Sequence, residues 1–227
     1  MDVTWRRRWL AGGLLLAVFG IGCNPLTSVY FLMVGVDPKF EPEFRLANQD
    51  KETRVLVLAY CAPDVRTDAS GIDHQLGTTF VRQLDERCKG NKEKIFIVPI
   101  HKVEKFKNDN ISSWKQMSAT EIGRLFDVDY VIDLEVVSLA LYEPDSHHSL
   151  FRGRCKIDMA VHDLRKPHEG PVFKTAFSTE YPKTRGPIPV ADDNNVDKFR
   201  DMFINRIATD ICWKLTAHLS QEEYKCD

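Results

Sequence analysis

Residues 53–60 read Thr-Arg-Val-Leu-Val-Leu-Ala-Tyr, and the residues after them place Ile72, Leu76, Phe80, Leu84 and Cys88 at spacings of four. The first stretch is a short, nearly continuous apolar run, which predicts a strand covered on both faces. The second is the single stripe of an amphipathic helix. Between them Pro63, Asp64, Asp68, Ser70 and Gly71 make a loop, and Gly90 and Asn91 end the helix. A covered strand followed by a one-faced helix is the unit from which layered α/β domains are built.

The same alternation continues toward the C-terminus. Residues 94–100, Lys-Ile-Phe-Ile-Val-Pro-Ile, predict a second strand that ends at Pro99, which has no N–H to donate to a ladder. A short helix over 101–107 and a polar turn at 108–112 follow. Ser118 and Glu121 have the spacing of a capping box, opening a helix that carries Ile122, Leu125 and Phe126 and yields near Asp127. Residues 129–142 are a long apolar strand. In 150–164, Arg152, Arg154, Lys156, Asp158 and His162 alternate with Phe151, Cys155, Ile157, Met159 and Val161, the pattern of a strand with one wet face. Residues 172–181 alternate Phe173, Phe177 and Tyr181 with Lys174 and Ser178, and the turn before them holds Pro167, Gly170 and Pro171. These last three strands read as an antiparallel meander. A final helix over about 194–220 carries Val196, Phe199, Phe203, Ile207, Ile211 and Leu215, and so much one-faced helix needs a sheet beneath it. The expected fold is a single layered α/β domain with a mixed sheet. Two early βα units come first, then the three-strand meander, then the long C-terminal helix.

Composition fits one such domain. The 227 residues are 43% hydrophobic and 28% charged, and 31 basic residues against 33 acidic ones leave a net charge of −2. That balance argues against a nucleic-acid partner held by electrostatics.

The amino end reads as an address. Arg6, Arg7 and Arg8 precede an uncharged run from Trp9 to Ile21, which meets Gly22 and Cys23. A basic start, a short apolar core and a small residue before a cut site make an export signal. The run is short for a membrane span, which needs about 20 residues. With a cysteine just after the core, it resembles the bacterial lipoprotein signal, which is cut before a cysteine that carries diacylglycerol. That resemblance implies lipid on Cys23, three acyl chains including an amide-linked fatty acid such as palmitate, and effectively permanent anchoring. Gly22 fits the pattern. Gly20, where Leu is usual, and the bulky Ile21 depart from it. An uncleaved single-pass anchor, or an ordinary signal cut nearby, is the alternative, with Cys23 then a bystander. Removing residues 1–22 takes three basic residues and one acidic residue, leaving a net of −4. Asn24 stands where an Asp would imply inner-membrane retention, so the expected address is the periplasmic face of the outer membrane.

The expected organisation is a signal peptide at 1–22, a lipid-attached linker at 23–50, an α/β periplasmic domain at 51–222 and a tail at 223–227. The linker is unusual in holding Leu-Thr-Ser-Val-Tyr-Phe-Leu-Met-Val-Gly-Val at 26–36. This segment either packs on the domain or lies at the membrane surface. Residues 37–45, with Pro38 and Pro42, read as an extended connector.

The stretch Ser118-Ala-Thr-Glu-Ile-Gly-Arg-Leu-Phe-Asp-Val-Asp-Tyr-Val-Ile and the turn from Asp163 to Gly170-Pro171-Val172-Phe173 add a family resemblance. With the 54–60 strand and the 72–88 helix, they resemble the domain shared by the amino domain of the Tol translocation protein, the curli secretion lipoprotein and the penicillin-binding-protein activator lipoproteins. The resemblance covers about residues 53–220 and implies a docking or assembly protein rather than an enzyme. The paired membrane-inserting hairpins of the curli channel have no counterpart at 61–71 or after Tyr142, so a channel is disfavoured.

Few residues suggest chemistry. Six cysteines leave five if Cys23 is lipidated, so at most two disulfides form. Cys61 and Cys88 flank one strand–helix unit and are the first pair to consider, while Cys88, Cys155 and Cys212 also suit the role of small hydrophobes. His147 and His148 follow Asp145 in a loop, and His162, Asp163 and His168 share a hairpin, but a zinc centre wants three or four converging ligands. No metal or other cofactor is expected. Asp133 and Glu135, two apart on a strand, share a face, as a carboxylate pair or a solvated sheet face would. There is no Gly-x-Ser-x-Gly elbow, and no catalytic residue is assigned. Arg152, Arg154 and Lys156 form a cationic row. It either faces an acidic strand such as that of Asp133 and Glu135 or recognises an acidic partner. The 182–195 loop, with Lys183 and Arg185, is a connector or a binding element.

The function expected is a membrane-anchored lipoprotein. It acts as a non-enzymatic binding or assembly module in the bacterial envelope, touching the membrane through its lipid and an envelope protein through its domain. An envelope hydrolase and a self-associating structural lipoprotein are the alternatives.

Overall fold

The computed structural model describes residues 39–47, 51–62, 65, 71–166, 170–191 and 194–225. The export signal, Cys23, the 26–36 segment, His168, Asp192, Asp193 and Cys226 lie outside the described residues, as does most of the 61–71 loop.

The elements are β1 (Lys39–Phe40), β2 (Thr53–Cys61), α1 (Ile72–Gly90), β3 (Ile95–Ile97), α2 (Ile100–Asp109), a 3₁₀ turn at Trp114–Gln116, α3 (Ala119–Leu125) and β4 (Tyr130–Tyr142). They continue with β5 (Leu150–Asp163), β6 (Phe173–Tyr181), β7 (Ile188–Pro189), α4 (Asn194–Leu215), β8 (His218–Leu219) and α5 (Ser220–Lys225). The main sheet has the order β3-β2-β4-β5-β6, with β7 paired to β5 beyond the end of β6. β2 is parallel to both β3 and β4, and β4, β5 and β6 run antiparallel in turn. This is the mixed sheet expected from the sequence.

The two early crossovers leave on opposite faces and so give the sheet two different coverings. On one face, α1 and α4 lie side by side. Their stripes (Leu76, Phe80, Leu84 and Phe199, Phe203, Ile207, Ile211) bury Val55 and Val57 of β2, Ile132 and Leu134 of β4, and Ile157 and Met159 of β5. Gly153 lets α4 come this close, because a Cβ there would sit 2.6 Å from the Phe203 ring. On the other face, α2, the 3₁₀ turn and α3 cover a smaller cluster of Leu56, Leu58, Val98, Val103, Ile122, Val128 and Val131. The Ser118 capping box forms as the spacing predicts, with Ser118 Oγ accepting from the Glu121 N–H and the Glu121 carboxylate accepting from the Ser118 N–H. Gly123 brings α3 onto β4, since a Cβ there would lie 2.4 Å from Val131.

Three boundaries differ from the sequence reading. β3 is only three residues long, because Pro99 caps α2 and Ile100 is already helical. The C-terminal helix stops at Leu215, where Thr216 turns back its N–H and hydroxyl to the Cys212 carbonyl. The chain after it pairs with β1, Lys39 with Leu219 and Phe40 with His218. The packed body therefore reaches back to Lys39: Leu46 is in the core, and Phe44 stacks on Phe173 at 5.6 Å.

Candidate functional site

β4 alternates between the two faces, and on the open face its sequence changes character part-way along. Val131 is sealed under α3, but Asp133 and Glu135, the next two residues on that face, emerge beyond the helices. On β2 the same change falls between Leu58 and Tyr60. The result is a cleft of about 260 Å³ lined by Leu58, Tyr60, Trp114, Lys115, Met117 and Asp133. Its wall is aromatic, with Tyr60 and Trp114 meeting edge to face at 6.3 Å. Lys107 supports that wall from behind. Its buried Nζ donates to the Ala59 carbonyl at 2.8 Å and to Glu104 at 3.0 Å, and it lies 5.3 Å from the Trp114 ring centre. A buried ammonium is tolerated only when paired and hydrogen-bonded in this way.

The polar end of the cleft is acidic. Tyr60 Oη donates to Asp133 Oδ2 over a long 3.5 Å, and Glu135 stands directly across from Asp158 of β5. Burial, and then the neighbouring Glu135 charge, push the Asp133 carboxyl up to about 6, against the opposing pull of the Tyr60 hydrogen bond. Burial and the same acids raise the Tyr60 phenol. A carboxylic acid that holds its proton near neutrality accepts or donates hydrogen bonds according to pH.

The structure separates several residues that the sequence suggested together. Asp133 lies opposite Ala160 and Glu135 opposite Asp158, so the cationic row of β5 does not face them. A register shift between Val136 and Ser138 sets Lys156 against Ser138 and Arg154 against Ala140. The arginines instead pair with Glu143 and Glu180: Arg154 with Glu143 at 2.8 Å, Arg152 with Glu180 at 3.0 Å. His162 and Asp163 are neighbours on a strand and point to opposite faces. Asp163 binds Arg165 through both oxygens at 2.8 Å, which holds its carboxyl below the usual range, whereas burial lowers His162. His148 stacks on Tyr142 at 4.4 Å. Among the described residues, no three of His, Cys, Asp and Glu converge to hold a metal.

The Cys61–Cys88 pairing is not made, and both thiols are free. Cys61 ends β2, and Cys88 lies sixteen residues along α1, about 24 Å of helix toward the opposite end of the sheet. A disulfide needs Cα atoms within about 7 Å. Cys88 and Cys212 are buried as small hydrophobes, and burial pushes the Cys212 thiol up to about 12. The 182–195 loop is partly structured, because Ile188–Pro189 pair with Leu150 and Phe151.

Sequence reasoning missed Lys107 and Trp114. A signal was present: with Val103, Lys107 occupies the inward positions of α2, where a charged residue must find a partner.

No family model and no curated protein matches the chain. Solved structures resemble it at low identity. A PelC dodecamer from Paraburkholderia phytofirmans is 10% identical over 79% of this chain and 97% of that one, with a TM-score of 0.40. Lipoprotein GNA1162 from Neisseria meningitidis is 12% identical over 69% and 99%, with a TM-score of 0.41. The C-terminal domain of LpoB from Escherichia coli is 12% identical over 68% and 93%, with a TM-score of 0.34. The likeness is thus to several bacterial proteins, one of them named a lipoprotein, and to no single family. At these scores it carries no argument about activity or partners.

Proposed function

We propose that the chain is an exported, lipid-anchored α/β domain that serves as a binding or assembly module at a bacterial envelope membrane. The observation that carries this reading is the run from Arg6 through the uncharged core to Gly22-Cys23, ahead of a folded body described from Lys39 onward. No helix among the described residues is long and apolar enough to cross a membrane. A tether of this kind raises the effective concentration of the domain near membrane-bound partners. The outer membrane is the address that Asn24 favours.

The half-bare sheet face and its cleft are the surface proposed for contact. Aromatic walls beside a few polar groups are the usual makeup of a recognition site. The acids lie in an open row across β4 and β5 rather than in an enclosed chamber, which suits contact better than hydrolysis. One observation favours the hydrolytic alternative: Asp133 holds a proton near pH 6 beside Tyr60 and Glu135.

Fractionation and intact-mass measurement of the natural chain and of Cys23→Ser test the anchor. The expected result is a natural chain that starts at residue 23 and carries acyl mass, and a variant lost from the membrane. Recovery of the natural chain with Met1 and an unmodified Cys23 overturns the reading.

A further inference from the structure

β6 is the last strand of the sheet, and its outer edge pairs with no strand among the described residues. Such an edge presents a row of open N–H and C=O groups, and proteins normally guard it. Here the strand is nine residues long and is bounded in sequence by Pro171 and Pro182. We propose that the β6 edge pairs antiparallel with β6 of a second copy of this chain about a two-fold axis at Phe177, joining the two sheets into one.

The pattern of β6 is self-complementary in that register alone. Antiparallel pairing about residue 177 sets Lys174 opposite the partner copy's Glu180, twice. It also sets Ala176 opposite Ser178, Thr175 opposite Thr179, and Phe173 opposite Tyr181. Opposite charges, Thr pairs and aromatic pairs are the cross-strand combinations that stabilise a sheet. A slip by two residues one way puts Lys174 opposite Ser178, and the other way opposite Pro182. Parallel pairing in register stacks Lys on Lys and Glu on Glu. A charged residue that normally guards an edge therefore acts here as a selector.

The two charges stand differently. Lys174 is exposed and makes no ion pair among the described residues. Glu180 already meets Arg152 at 3.0 Å and Arg154 at 3.9 Å, yet its side chain stays exposed at the strand edge, where a lysine opposite would join that cluster of charges. On the closed face, Phe173, Phe177 and Tyr181 pack at the rim of the core and are only partly buried. A second sheet beside them would extend the cover over this aromatic row. A two-fold arrangement of one surface on itself is the commonest form of closed assembly. The proposal stands on β6 and does not depend on the lipid.

The test uses the full chain in detergent, with native mass spectrometry across a concentration series. The natural chain should show a monomer–dimer equilibrium. Lys174→Glu and Glu180→Lys should each weaken dimerisation at least tenfold, because each sets like charges opposite one another. Their equimolar mixture should recover it, because the two acids on one variant's strand then face the two bases on the other's. A natural chain that stays monomeric at every concentration overturns the proposal, as do single variants that dimerise as well as the natural chain, or a mixture that fails to recover. Phe177→Cys gives an independent reading. It should cross-link two copies across the axis, whereas Lys174→Cys, displaced about 20 Å along the strand from its own counterpart, should not. Equal cross-linking by both variants rejects this register.

Discussion

The two faces of the sheet are made by the same strands and differ in almost everything else. The closed face is apolar from β2 to β5 and lies under two long helices. The open face is sealed over a few residues by short elements and then turns to Tyr60, Asp133, Glu135 and Asp158. Alternation lets one strand serve both, so β4 offers Ile132 and Leu134 to the core while it offers the half-buried Asp133 and Glu135 to the other face. Stability is concentrated on one side, and the other is released to carry charge and a cleft.

The largest test of this division falls on the closed face. Phe203→Ala should cost about 3–5 kcal/mol of unfolding free energy in a denaturant titration, because it empties the contact between α4 and Gly153. Gly153→Ala attacks the same contact by overpacking and should cost about 1–3 kcal/mol. Lys107→Met should cost about 1–3 kcal/mol by leaving the Ala59 carbonyl and Glu104 without their donor, and should loosen Trp114, seen as a change in its fluorescence.

Asp133 separates the two faces by pH. Its carboxyl holds a proton more tightly folded than unfolded, so it makes stability fall as pH rises from about 4 through about 6. Asp133→Asn should remove that part of the slope and raise stability at pH 7 by about 1–2 kcal/mol. Asp163 works the other way, since its salt bridge with Arg165 contributes above the unfolded carboxylate range and is lost as acid protonates it. Persistence of the full slope in Asp133→Asn would assign it elsewhere. The smallest effect expected is that of Ser118→Ala, about 1 kcal/mol from losing the cap of α3.

What the sequence made legible was local. The apolar run of β2, the four-residue spacing of α1, the Ser118 capping box and the alternation of β5 are each complete within about one element. What it hid was long-range. Residues 216–219 continue an acceptable helical pattern, and only pairing with Lys39 and Phe40 pulls them out of α4. The shared face of Asp133 and Glu135 could be read from spacing, but their neighbours could not, because the bulge between Val136 and Ser138 resets every later pair on β4 and β5. Lys107 and Trp114 meet through the fold and not through any motif.

The small β1–β8 ladder gives the molecule a mechanical character. Lys39–Phe40 are tied to His218–Leu219, and the next ties are the Phe44 N–H donating to the Lys214 carbonyl and Lys214 reaching Glu43 at 2.7 Å. These ties hold the described residues before β2 against the tail of α4, and Phe44 on Phe173 and the buried Leu46 carry the attachment on into the core. The first and last strands of the described body are thus buckled to each other, so a pull on either one is shared by the other.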